Sequence, residues 1–213
     1  VLVLALDTST PAVTAGVVRD GALLAERVTR DGRKHGELLM PGVQAACAEA
    51  GVALRELDAV VVGAGPGPFT GLRVGMVTAA ALGDALDIGV HGVCSLDAIA
   101  AAVGPLDGNL LVATDARRRE VYWAAYDAEA RRITGPTVES PAALAERLPG
   151  LGLVAAAGTM VAELGLPVRQ PETPTALGLV AAADLHAVPG PLEPLYLRRP
   201  DAVPPGERKK VSP

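Results

Sequence analysis

The sequence predicts a mixed α/β chain of two related lobes, the second a reduced copy of the first. Three observations carry this. Apolar runs at Val1–Leu6, Val13–Val18 and Ala22–Val28, separated by short turn clusters, read as three neighbouring strands. A helix, a strand and a second helix follow. After Gly104-Pro105-Leu106-Asp107-Gly108 the order strand, turn, strand, turn, strand returns.

The first strand ends in Asp7-Thr8-Ser9-Thr10-Pro11, whose short polar side chains bond turn backbone. Arg19-Asp20-Gly21 is a hairpin signal. A polar loop leads to a helix from about His35 to Ala50, closed by Gly51. Leu57–Ala64 is the fourth strand. Gly65-Pro66-Gly67-Pro68 then forms a stiff turn, because glycine reaches angles closed to other residues and proline fixes φ. Thr70 is expected to cap a helix running to about Leu86, and Ser95 another through Val103, with a short strand at Val90–Cys94 between them. Three hairpin-joined strands, then helix, strand and helix, make a lobe of ribonuclease-H type.

In the second half the strands are Asn109–Asp115, Glu120–Tyr126, Arg132–Val138 and Leu153–Ala157. Helices are expected at Pro141–Leu148, Thr159–Leu164 and Thr175–Ala187. The division is 1–104, 105–188 and a tail, 189–213, rich in proline and charge and expected to lie over the surface or in part disordered.

Half of the 213 residues are apolar, yet there are only one Phe, one Trp and three Tyr, so the core must come from Ala, Val and Leu. A net charge of −5 excludes a molecule-wide basic field for nucleic acid; any RNA contact is local or made by a partner. Cys47 and Cys94 have no metal-like spacing and read as reduced core thiols of an intracellular, cytoplasmic protein. No apolar run reaches membrane-spanning length, and no basic stretch precedes the first strand, so neither a span nor a signal peptide is expected.

A helix start after glycines can hold a phosphate. Here no Gly-Lys-Ser/Thr follows, and Thr70 stands where a dinucleotide fingerprint needs its third glycine, so a plain strand-to-helix turn stays open as the alternative. In the following helix Gly71, Gly75 and Ala79 line one face, with Leu72 and Met76 beside them. A row of small residues admits a close neighbour. The helix is either central to the core or shared between its own chain and a partner subunit. The helix from His35 carries Leu38, Leu39, Val43 and Cys47 at helical spacing and joins it in a two-helix apolar face.

Leu4-Ala5-Leu6-Asp7-Thr8-Ser9, Gly65-Pro66-Gly67-Pro68-Phe69-Thr70-Gly71-Leu72-Arg73, Ser95-Leu96-Asp97, Asp115-Ala116-Arg117-Arg118 and Pro194-Leu195-Tyr196-Leu197-Arg198 together resemble the bacterial TsaB (YeaZ) family over nearly the whole chain. The family usually has Ser where Pro68 stands. The resemblance implies an actin-like, two-lobed ATPase fold. It implies a role in forming N6-threonylcarbamoyladenosine beside the anticodon of tRNAs that read codons beginning with A. There the transferase is TsaD, a larger paralogue. TsaB is its partner, and TsaE is an ATPase that binds the pair.

The resemblance also implies a subunit without chemistry of its own. The paralogue holds a metal with two histidines, and the aligned positions here are Ser95 and Ile99, so neither metal nor cofactor is expected. Asp7, Thr8, Ser9 and Asp115 mark a vestigial nucleotide cleft; Asp7 serves equally as a turn cap, and the acid among Arg117–Arg119 as a locally paired turn. The partner face is His35, Leu38, Leu39, Val43, Cys47, Gly71, Leu72, Gly75, Met76 and Ala79. It is expected to meet TsaD, or a second copy of the chain, in a four-helix interface. Gly75→Leu is then expected to abolish pairing and leave the monomer folded. The rival reading is a small kinase or ATPase acting alone through Asp7 and the glycine-rich turn.

Overall fold

The computed structural model describes residues 1–31 and 34–198. Arg208-Lys209-Lys210 and most of the tail lie outside the described residues. The first lobe comprises strands β1 (Leu2–Asp7), β2 (Ala12–Arg19) and β3 (Ala22–Arg30), helix α1 (His35–Ala50), strand β4 (Ala59–Gly63), helix α2 (Phe69–Leu86), strand β5 (Gly89–Val93) and helix α3 (Ser95–Val103). The second comprises β6 (Asn109–Asp115), β7 (Val121–Tyr126), β8 (Arg132–Glu139), helix α4 (Pro141–Arg147), β9 (Leu153–Ala157) and β10 (Val168–Arg169). Helix α5 (Ala176–Ala181) follows.

Among the described residues the sheets have the orders β3-β2-β1-β4-β5 and β10-β9-β6-β7-β8. Read from β3 and from β8, the two sequences of positions are the same. In each, three antiparallel hairpin strands are extended by parallel strands on the other side of the first. The ribonuclease-H arrangement is therefore present twice. The second copy is smaller: α4 has 7 residues where α1 has 16. The segment expected to form a helix at Thr159–Leu164 makes only turns. Pro167 and Gly165 leave too few residues there for a helix to propagate.

Strand β1 is buried throughout because helices cover both faces of its sheet. Leu4 and Leu6 share a core with Leu39 and Val43 of α1 and Leu72 of α2. Val3 and Ala5 face the other way, with Ala98 of α3 and Leu179 of α5. The opposite side of α3, Leu96 and Ile99, packs on Leu110, Val112 and Tyr126 of the second sheet. Helix α3 is thus the shared wall between the lobes.

The 105–188 boundary needs correcting at its C-terminal end. Helix α5 packs on the first sheet, tied there by the Ala176 N–H donating to Glu26 Oε1 (2.6 Å) and Thr14 Oγ1 donating to the Pro174 carbonyl (2.9 Å). It is also shorter than the expected Thr175–Ala187, with Thr175 as its cap. The described part of the tail runs across both lobes. Leu192 touches the first core and Leu195 and Leu197 the second. Helix α2 starts at Phe69 after Pro68, so Thr70 is inside it. Ser95 opens α3 rather than capping it, because its hydroxyl is engaged elsewhere. No helix among the described residues is long and apolar enough to cross a membrane.

Gly178 of α5 lies against the Ala98 carbonyl of α3, and a methyl group there would collide with it. Gly178→Ala should push α3 and α5 apart at a cost of about 1–3 kcal/mol. Calorimetric melting should register this as a drop of roughly 2–10 °C; an unchanged Tm would show that the two helices do not bear on each other.

Candidate functional site

The loop after β1 and the turn after β4 close on each other. Asp7 is 1% exposed. Its Oδ1 accepts from the Ser9 N–H (2.9 Å) and Ser9 Oγ (2.8 Å), and its Oδ2 accepts from Ser95 Oγ (2.6 Å). Burial pushes the carboxyl above its ordinary value of 3.8; the bonds from Ser95 and Ser9, and the charge of His35, pull the other way. Thr8 Oγ1 donates to the Gly71 carbonyl (2.7 Å) and accepts from the Gly75 N–H (3.0 Å). Those two groups are four residues apart in α2 and would ordinarily pair with each other, so the hydroxyl bridges a rung of the helix. His35 Nε2 donates to the Thr10 carbonyl (2.8 Å) and pins the loop's far end to α1.

Glycine is required where this closure is tightest. A Cβ on Gly75 would sit 2.5 Å from Thr8 Oγ1, one on Gly71 2.8 Å from the Thr8 carbonyl oxygen, and one on Gly67 2.8 Å from Ser9 Cα. The small stripe admits a close neighbour, as expected, but that neighbour is the chain's own first loop.

The expected partner face must be corrected on this ground. Leu39, Val43, Cys47, Gly71, Leu72, Gly75, Met76 and Ala79 are all buried within the chain. Only His35 and Leu38 of the ten are half-exposed. The expected effect of Gly75→Leu is corrected too: the side chain would strike Thr8 and disturb the fold itself. The faces of these helices left outward are Glu37, Pro41, Gln44 and Ala48 on α1 and Thr70, Arg73, Val77 and Ala81 on α2. Val77 is 66% exposed.

The expected cleft residues also divide. Asp7, Thr8 and Ser9 are sealed in by local bonds rather than lining an opening. Asp115 stands apart at the end of β6, half-buried, where its Oδ1 accepts from the Arg117 N–H (2.8 Å). The turn is held locally, but by a backbone N–H rather than by the ion pairs expected from the sequence. Arg117, Arg118 and Arg119 all have positive φ, from 51 to 63°, an uncommon run for residues with side chains. The turn faces Pro68 and Phe69 across a cavity of about 180 Å³.

Neither thiol is poised to react: burial raises the Cys47 thiol and lifts Cys94 to about 12. Among the described residues no three His, Cys, Asp or Glu side chains gather as metal ligands. The sequence reading missed the Ser95–Asp7 bond, which joins residues 88 apart. It also missed the meeting of Phe69 and Arg73 with Tyr196.

The family model TsaD, tRNA N6-adenosine threonylcarbamoyltransferase, matches residues 23–183. The tRNA threonylcarbamoyladenosine biosynthesis protein TsaB of Escherichia coli (strain K12) is 30% identical, with 92% of this chain and 94% of that protein covered. The chain belongs to the TsaB (YeaZ) family. The uncharacterized protein Rv3421c of Mycobacterium tuberculosis is 57% identical over 205 residues, covering 95% of this chain and 94% of that one. YeaZ from Pseudomonas aeruginosa superposes with a TM-score of 0.70 at 30% identity, covering 85% of this chain and 89% of that one. An activator of 2-hydroxyisocaproyl-CoA dehydratase from Clostridium difficile, solved with bound ADPNP, shares the fold at a TM-score of 0.55 and 12% identity, covering 86% of this chain and 93% of that one. The actin-like fold expected from the TsaB resemblance is the one observed.

The buried Asp7 gives a pH test. Between 3.8 and its raised native value the folded chain holds a proton that the unfolded chain has lost. Stability contributed by this group therefore falls as pH rises through that window and levels off above it. Asp7→Asn keeps an acceptor for Ser9 and removes the titration. In urea melts taken from acid to neutral pH, the variant should gain on the parent across that window. Parallel curves would mean that Asp7 titrates normally.

Proposed function

We propose that the chain is a non-catalytic partner subunit of a TsaD transferase in threonylcarbamoyladenosine formation on tRNA. It stabilises and positions TsaD and helps to recruit the TsaE ATPase. The observation that carries this is the closure of the first loop. The side chains of Asp7, Thr8 and Ser9, which an ATPase of this fold would direct at its nucleotide, are occupied by one another, by Ser95 and by the backbone of α2. A buried carboxylate already holding three hydrogen bonds is poorly placed to coordinate an ion or orient a phosphate. Gly67 and Gly71 let this loop lie directly against the turn and the start of α2, the kind of place where a helix N-terminus can hold a phosphate.

The docking face in this reading is the outward side of α1 and α2, with Val77 at its centre. Pro41 and Ala48 lie on α1, and Ala80 and Ala81 on α2. Small and apolar outward residues suit close helix pairing with a paralogue of similar shape. The family's relation to the TsaD model supports a sister chain as occupant. A second copy of this chain is the lesser option for the same surface.

Val77→Glu changes only an exposed side chain, so the variant should fold and melt like the parent. Co-purification with TsaD from the native cell extract should fall at least about tenfold, the effect of placing an unpaired charge in an interface core. Undiminished recovery would remove this face from the proposal. Titration calorimetry of the isolated chain with ATP and magnesium should give no turnover heat. Tight binding with sustained hydrolysis would favour the lone kinase or ATPase instead.

A further inference from the structure

Three of the chain's five aromatic residues meet at one cavity, in a protein whose cores are built from Ala, Val and Leu. Phe69, Tyr122 and Tyr196 line the cavity of about 180 Å³ between the Gly/Pro turn and the arginine turn, together with Arg117, Arg118 and Arg198. The rings of Phe69 and Tyr196 stack with centroids 5.1 Å apart and planes 28° from parallel. Both remain well exposed, 40% and 38%. The Arg73 guanidinium lies 3.8 Å above the centre of Phe69, and its Nε donates to Tyr196 Oη (3.0 Å). The platform is therefore held in place before anything binds.

Arg198 donates to the Ala116 carbonyl (2.9 Å) and pairs with Glu120, so it fixes the cavity wall. Arg117 is exposed, and among the described residues its guanidinium has no acidic partner. A second cavity, of about 170 Å³, shares Pro68 and Arg117 with the first and is lined further by Thr10, His35 and Thr70. Among the described residues no carboxylate lines either one. In a chain of net charge −5 this is a local reversal of sign.

Each cavity is smaller than the roughly 300–1,000 Å³ cleft of a typical small-molecule site. Two small compartments joined at one guanidinium suit a linear polyanion better than a compact cofactor. An exposed, preassembled aromatic pair beside arginines is the arrangement on which unpaired bases stack. We propose that this surface binds single-stranded RNA, with a base on the Phe69–Tyr196 platform and the backbone phosphate at Arg117. The binding belongs to the chain itself and does not require TsaD.

The test is fluorescence anisotropy of the full chain with a labelled, mixed-sequence 12-nucleotide RNA at low salt. Saturable binding is expected. Tyr196→Ser should weaken it about tenfold through lost stacking. Arg117→Glu should weaken it at least about tenfold and lower the salt slope by about one. Both substitutions are at the surface, and circular dichroism melts check that they leave the fold intact. Arg55→Glu, outside both cavities, should change little. An absence of saturable binding would overturn the proposal, as would equal weakening by Arg55→Glu and Arg117→Glu. Displacement of the RNA by poly-glutamate would show a general polyanion surface. Displacement by AMP or ATP at matched nucleotide concentration would show a mononucleotide site. Either result also overturns it.

Discussion

One threonine hydroxyl fixes how the first lobe closes. Thr8 reaches into α2 and takes both a carbonyl and an amide from the helix ladder. That contact forces the residues facing it to be glycine, and so sets the helix's distance from β1. The same closure buries Asp7, whose desolvation has to be offset by Ser9 and Ser95. Ser95 begins α3, and α3 is the wall on which the second sheet is built. A chain of hydrogen bonds therefore runs from the first loop to the junction of the lobes. At the far end, Tyr126 Oη donates to Asp97 Oδ1 (2.8 Å), in the first turn of α3. Burial and the neighbouring Asp97 push the Tyr126 phenol upward, so it stays a donor.

Much of this architecture was legible in the sequence because the first lobe is locally consistent. Its strands are short apolar runs between turn residues, and its helices end where Gly51 and the residues after Leu86 stop them. The errors fall where tertiary contacts outrank local signals. Ser95 looks like a cap, but a hydroxyl near a buried carboxylate contributes more by bonding to it. Thr70 looks like a cap too, but Pro68 already sets an extended backbone at the helix start. The segment after β9 has the composition of a helix without the length to hold one.

The site was legible in part. Asp7 and Asp115 were placed correctly at equivalent strand ends, and the sequence allowed a structural role for each. Most of the residues expected to form the partner face lie on the buried sides of two helices. Sequence alone shows that Gly71, Gly75 and Ala79 share a face; it does not say which neighbour approaches. Mean composition gives little help, because a helix shared between two chains and a helix sealed in one core are both apolar nearly all round. The distinguishing fact, a loop from the chain's own N-terminus lying on the glycines, joins residues more than sixty positions apart.

The distribution of aromatic side chains argues that the cleft is kept for contact. Trp123 and Tyr126 are buried and help to fill the smaller lobe, where few residues are available to make a core. Phe69 and Tyr196 contribute far less in that way, since each keeps more than a third of its surface in water. Burying a large apolar side chain fully stabilises a fold by about 1.5–3 kcal/mol. A protein poor in aromatics gives up much of that gain by leaving its only Phe half outside. The two rings are also not loosely exposed: Arg73 fixes their relative position through one stacking contact and one hydrogen bond. Ordering exposed side chains costs entropy that an isolated fold has no need to lose. Rigid, wet aromatic surface beside arginines makes physical sense as a preorganised contact for a ligand, which then loses less on binding.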